Sequence, residues 1–131
     1  MRIAGVIARY LLGLVFVVFG LNGFLHFIPS SPPLGIAGQF FGALYLSHYL
    51  IVIFLLQLIS GLLLLLNRFV PLALTLLGPI IVNIFFFHAL MSPSGLPLAI
   101  IVIVLWFLAA HNVRAAFVGL LQAQAEDRAR V

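Results

Sequence analysis

Residues 10–67 read YLLGLVFVVFGLNGFLHFIPSSPPLGIAGQFFGALYLSHYLIVIFLLQLISGLLLLLN, 58 residues without one charged side chain. A second uncharged run, FVPLALTLLGPIIVNIFFFHALMSPSGLPLAIIVIVLWFLAAHNV, covers 69–113, 45 residues. Arg68 alone separates the two. A water-soluble chain of 131 residues made of such runs would have to expose an apolar surface, so the sequence demands a hydrocarbon solvent. Composition agrees: 66% of residues are hydrophobic and 6% charged, where about 25% charged is ordinary.

The runs divide at their turn signals. A helix needs roughly 20 apolar residues to cross a ~30 Å hydrocarbon core. The first predicted span is 4–27, closed by Pro29-Ser30-Ser31-Pro32-Pro33, where clustered prolines forbid helix. The second is 49–66, stopped by Asn67-Arg68. The third is 71–91, with Pro71 at a helix start, where its missing N–H costs nothing. The fourth is 96–117, entered through Ser92-Pro93-Ser94-Gly95. The runs are long and do not alternate with period two, which favours helices over barrel strands. The expected fold class is an all-α membrane protein: a four-transmembrane-helix bundle in one domain, 1–119, with a polar tail over 120–131. Between the first two spans, Phe41, Leu44, Tyr45 and His48 share one helical face, as a short interfacial helix would require. Gly35, Gly38 and Gly42 favour an ordinary loop instead, and both readings stand.

All six basic residues are arginines, placed at the chain ends and in one short turn. Arg2 and Arg9 flank the N-terminal end, Arg68 sits in the connection after the second span, and Arg114, Arg128 and Arg130 lie at and beyond the end of the fourth. With four crossings these segments share one side of the bilayer. That side is expected to be the cytoplasm, with both termini inside a cell (inner) membrane. Arg2 and the apolar run after it resemble a secretory signal, yet no small-x-small cleavage pattern follows Phe19, so a retained helix is expected. No basic cluster on a solvated face suits nucleic acid. The absence of cysteine excludes disulfides and thiolate chemistry, and the two carboxylates, Glu126 and Asp127, lie outside every span. No Ser-His-acid triad or nucleotide loop is present, so no autonomous enzyme is expected.

Small residues prepare the helix contacts. Gly13 and Gly20 share a face of the first span, and Ser60 with Gly61 permits close approach in the second. Pro79 removes a donor from the middle of the third span, where a kink is expected. The candidate ligand-binding residues are Asn22, His26, His48, Gln57, Asn83 and His88. His26, His48 and His88 all fall at the outer boundary, with Asn22 one turn below His26; His111 falls at the opposite end. Asn83 and His88, five apart, lie about 140° around a straight helix. Three readings compete for the outer histidines. They bond loops and headgroup water; or, with Asn, they bond carbonyl oxygens of a quinone-like molecule enclosed by Phe24, Phe27, Phe86 and Phe87; or they hold haem or a metal, which the lack of carboxylate and thiolate partners disfavours. Gln57, nearest the midplane, should point inward to a partner such as Asn83, Thr75 or a carbonyl. Trp106 sits mid-span, as core filler or as a stacking surface.

The stretch RYLLGLVFVVFGLNGFLHF, 9–27, resembles the opening helix of the DoxX family of small bacterial and archaeal membrane proteins. LQLISGLLLLLNRFVPLALTLLGPIIVNIFFFH, 56–88, resembles that family's second and third helices with the Arg-containing turn between them. The resemblance covers about three quarters of the chain, mostly through apolar motifs. It implies a four-helix membrane bundle. It also implies association with redox partners, since relatives include a membrane subunit of an archaeal thiosulfate:quinone oxidoreductase. Family members often carry Glu where this chain has Gln57, which here removes an ionisable group. The expected function is an accessory membrane subunit that binds a lipophilic redox molecule such as a quinone, or a redox membrane or peripheral protein. A scaffold without ligand chemistry and a small transporter-like homo-oligomer are the alternatives.

Overall fold

The computed structural model describes residues 2–124, so Glu126, Asp127, Arg128 and Arg130 lie outside the described residues. It is all-helical, and no strand occurs among those residues. The elements are α1 (Arg2–Leu25), α2 (Gly35–Leu46), α3 (Tyr49–Leu65), α4 (Val70–Leu90) and α5 (Leu96–Asn112). A 3-10 turn, Pro93–Gly95, leads into α5, and a 3-10 segment, Arg114–Leu121, follows it. α1, α4 and the 93–112 segment are long and apolar enough to cross a membrane. α3, at 17 residues, spans about 26 Å and falls short of a ~30 Å core. It counts as a fourth candidate when taken with α2, from which it is bent by 86°.

Each boundary has a local cause. α1 gives way at His26, in the left-handed region, before the prolines. α2 forms despite its glycines, and Gly35 begins it at φ +66, which suits a residue without a Cβ. Asn67, also left-handed, closes α3 in the manner of a C-terminal cap. Pro71 and Pro97 stand in the first turns of α4 and α5. α5 ends at Asn112, five residues before the predicted limit of 117. There Arg114 Nη1 donates to the His111 carbonyl (2.9 Å) and Asn112 Nδ2 donates to the Arg2 carbonyl (2.9 Å), so the last turn closes against α1. Leu120 and Leu121, assigned to a polar tail, belong to the 3-10 segment.

The four long helices pack in the cyclic order α1, α3, α4, α5. Contacts near the helix ends show that neighbours run antiparallel. The start of α1 meets the end of α3 through Arg9 and Leu64, and meets the end of α5 through Gly5 and Asn112. The end of α1 meets the start of α3 through Gly23 and Phe54. Arg2, Arg9, Arg68 and Arg114 therefore gather at one end of the bundle, and His26, His48 and His88 at the other. The core joins Leu12 and Phe16 of α1, Leu64 of α3, Leu74, Leu77 and Ile81 of α4, and Val102 and Ala109 of α5. Much of the bulky apolar complement faces outward instead, including Leu14, Ile59, Leu72, Val82, Ile101 and Phe107. A chain in water would lose the free energy of burying such side chains, about 1.5–3 kcal/mol each.

α1 and α3 form the closest seam. A Cβ on Gly61 would stand 2.8 Å from the Val17 amide nitrogen, and one on Gly13 would stand 3.0 Å from the Gly61 carbonyl oxygen. Of the small residues expected to allow close approach, Gly13, Gly20 and Gly61 are buried along it, and Ser60 is buried beside Gly61 on α3. Gly61→Leu should therefore lower stability in detergent by about 1–3 kcal/mol, since backbone rather than a mobile side chain stands in the way. Gly42→Ala, at a position with open space around it, should be neutral or mildly stabilising. Thermal unfolding followed by circular dichroism separates the two; equal effects would remove the seam from the account.

Candidate functional site

At the histidine end, most of the polar side chains close turns of their own chain segment. Asn22 Oδ1 accepts from the Ile28 amide (2.7 Å) and holds the segment that leaves α1. His26 is exposed and takes φ 51, with its amide on the Asn22 carbonyl (2.9 Å). His48 is exposed at the α2–α3 corner with φ 63. His88 is half-buried: its Nδ1 lies 3.0 Å from the Ser92 carbonyl oxygen, and its ring fills the space a Gly95 side chain would need. Asn83 is exposed and turns Nδ2 onto the Pro79 carbonyl (2.8 Å) of its own helix. Among the described residues, no three His, Cys, Asp or Glu side chains are grouped so as to hold a metal ion. The four phenylalanines expected around a ring are shared out. Phe24 meets Phe54, Phe87 meets Phe40 and the His88 ring, Phe86 faces outward beside Phe85, and Phe27 is exposed.

Gln57 does point into the bundle and is buried beside Ser60 and Gly61 on α3. Neither Asn83 nor Thr75 is its partner: Asn83 bonds Pro79, and Thr75 Oγ1 donates to the Pro71 carbonyl (2.8 Å), both on the exposed face of α4. The Ser60 hydroxyl is fully buried with no hydrogen-bond partner among the described residues. An unmet hydroxyl in apolar surroundings costs on the order of 1–3 kcal/mol. Among the described residues, the Ser60 hydroxyl is thus the buried side-chain group whose hydrogen-bonding capacity goes unused.

Arg9 crosses the same seam toward the arginine end. Its Nη1 donates to the Leu64 carbonyl in the last turn of α3, and its guanidinium lies 4.3 Å from the centroid of the Tyr10 ring. A buried cation costs several kcal/mol unless its donors are used. Here it meets the negative end of a helix dipole and an aromatic face together.

A groove of about 410 Å³ opens between α4 and α5. Gly78, Ile81, Val82, Phe85 and Phe86 line one wall, and Ile103, Trp106 and Phe107 the other. The missing side chain at Gly78 gives the groove its depth beside the indole, which lies at van der Waals range from where a Cβ would be. Trp106 Nε1 donates to the Leu74 carbonyl (2.9 Å), which fixes the ring plane and consumes its one donor. What remains is an aromatic and aliphatic wall open to the outside. Sequence reasoning weighed Trp106 and Phe86 as ligand contacts and did not collect Gly78, Phe85, Ile103 or Phe107. The signal was present, because Gly78, Ile81, Val82, Phe85 and Phe86 recur at the three-and-four spacing of one helix face.

Comparisons of the chain with protein-family models, with curated proteins and with solved structures find no match.

His26 and His48 hold the left-handed conformation at a cost that glycine would avoid, of order 1 kcal/mol each. His48→Gly should raise the unfolding midpoint, by up to about 1 kcal/mol in stability, if turn geometry is the residue's whole contribution. Chemical unfolding in mild detergent reads this directly. A clear loss of stability would mean that the imidazole itself makes a contact that holds the corner.

Proposed function

We propose that this chain is a four-span integral membrane protein of the DoxX type, with α2 lying in the interface and both termini on the cytoplasmic side. The support is the collection of Arg2, Arg9, Arg68 and Arg114 at one end of the bundle, as charge-biased insertion requires. The short α3 is accommodated if α2 lies along the interface and the bilayer thins or α3 stays upright beside the longer α1. Reporter fusions at the two ends test the number of crossings. Both should report the cytoplasm; tails on opposite faces would mean three crossings and would leave α2–α3 as a re-entrant pair.

We further propose that it acts as an accessory subunit that takes up a lipophilic redox molecule of the quinone class. The observation that carries this reading is the α4–α5 groove, an aromatic slot reachable from the hydrocarbon, lined by the only tryptophan in the chain. The lining has no free hydrogen-bond donor, so it suits a ring face or an isoprenoid tail rather than quinone oxygens. Because Trp106 is single, its fluorescence reports on the groove alone. A short-tailed benzoquinone or naphthoquinone should quench it saturably, and Gly78→Leu, which fills the slot, should weaken the apparent affinity by about tenfold, equivalent to ~1.4 kcal/mol. Quenching linear in quinone and indifferent to Gly78→Leu would be partitioning into detergent and would remove the groove as the site. Sensitivity to His26→Ala or His88→Ala would instead put the ligand at the histidine end.

A second reading, a scaffold without ligand chemistry, is favoured by the engagement of Asn22, Asn83 and His88 with main-chain groups of their own segments. It gains ground if neither set of substitutions changes quinone binding.

A further inference from the structure

We propose a second site at the arginine end of the bundle that binds one phosphate group, presented there by an anionic phospholipid. A concave pocket of about 390 Å³ is lined by Arg2 and Val6 of α1, His111 and Asn112 at the end of α5, and Arg114 just beyond it. The pocket is a constructed junction rather than a chance dip. Asn112 Nδ2 donates to the Arg2 carbonyl (2.9 Å), and the same side chain occupies the space above Gly5, where any Cβ would collide with it. Gly5 thus lets the end of α5 settle against the start of α1, which brings two arginines distant in sequence, Arg2 and Arg114, to the lining of one cavity.

Charge selects the ligand. Residues 2–124 contain no Asp or Glu, so no carboxylate among the described residues faces these cations. Arg114 commits Nη1 to the His111 carbonyl (2.9 Å), which orients the guanidinium and leaves its other N–H groups for a ligand. The start of α1 and the end of α5 meet here, so their dipoles oppose each other and the side chains set the field. Two planar forks and a ring nitrogen suit the oxygens of a phosphate better than a single carboxylate. Location selects the source. α1, at 24 residues, is about 36 Å long, so with its body in a ~30 Å core Arg2 reaches the headgroup layer. Val6, one turn along α1 from Arg2, adds an exposed apolar side chain to the lining, against which the glycerol and upper acyl carbons of a lipid would follow the phosphate. This site is independent of the α4–α5 groove and of the quinone reading.

Native mass spectrometry of the full-length protein, released from detergent with phosphatidylglycerol or phosphatidylcholine added, measures the proposal. One retained phosphatidylglycerol per chain, in preference to phosphatidylcholine, is expected. Arg2→Gln and Arg114→Gln should each reduce its retention about tenfold, the loss of one charge-assisted contact. Arg68→Gln, at the same end but outside the pocket, should change retention by no more than about twofold. Arg2→Lys with Arg114→Lys keeps the charge and removes the forks, so intermediate retention is expected and guards against a folding defect in the Gln variants. Inorganic phosphate at millimolar concentration that displaces the lipid and raises the unfolding temperature would assign the site to soluble phosphate esters instead of lipid. Retention that falls equally in all three Arg→Gln variants would reduce the effect to general surface charge and overturn the pocket. So would retention governed by Glu126→Gln with Asp127→Asn, which would make the chain's own tail the occupant.

Discussion

Surroundings of hydrocarbon leave a peptide group no water to bond, and that constraint organises this molecule. Among the described residues, every side-chain hydrogen bond ends on the main chain. Arg9 reaches the last turn of α3, Trp106 reaches the Leu74 carbonyl, and Asn112 reaches the first residue of α1. Three of the four helix contacts in the ring are thus tied by a long side chain bonding a neighbour's backbone. In water such bonds contribute about 0.5–1.5 kcal/mol net; in apolar surroundings the unmet group is what costs, so the buried Arg9 and half-buried Trp106 are fixed more firmly than Asn112, which is exposed at the end of the bundle.

The same constraint separates two kinds of polar residue that look alike in the sequence. Asn22, Asn83 and His88 were candidates because a polar side chain in an apolar run asks for a reason. The structure supplies a reason within a few residues of each: the Ile28 amide, the Pro79 carbonyl and the Ser92 carbonyl. Gln57 and Ser60 remain. They are buried on α3, and the Ser60 hydroxyl has no protein partner among the described residues. Carboxamide and hydroxyl there have hydrogen-bonding capacity that a bound water or a small polar ligand would meet.

Much of the architecture was legible because it depends on length, charge and turn chemistry. The proline cluster, the Asn67-Arg68 turn and the Ser92–Gly95 turn each separate two helices where expected. The Gly13 and Gly20 face of α1 meets the Gly61 face of α3 as their spacing requires. The contacts that build sites were less legible. Asn112 and Arg2 are 110 positions apart, and no periodicity within one helix can pair them. The α4–α5 groove depends on which way one indole turns, which the Leu74 carbonyl decides from another helix. α2 was balanced between helix and loop because glycine weakens helix locally, and tertiary contact against α3 tips the balance.

These placements divide the molecule along its axis and across it. The arginine end offers charge to anions at a polar boundary. The histidine end offers one imidazole, His88, already engaged by the Ser92 carbonyl, and two exposed ones, His26 and His48, at left-handed corners. The lateral groove offers only an aromatic surface, and it faces the direction from which a lipophilic molecule arrives. A quinone entering there would meet Trp106 and three phenylalanines before any donor, so recognition would rest on shape and stacking, and its oxygens would have to look elsewhere. The half-buried His88 lies within one turn beyond Phe85 on α4, and its ring is held by the Ser92 carbonyl. A head group could gain a hydrogen bond from that imidazole only by breaking one the fold already uses. Affinity in such a groove therefore follows buried apolar area rather than hydrogen bonding.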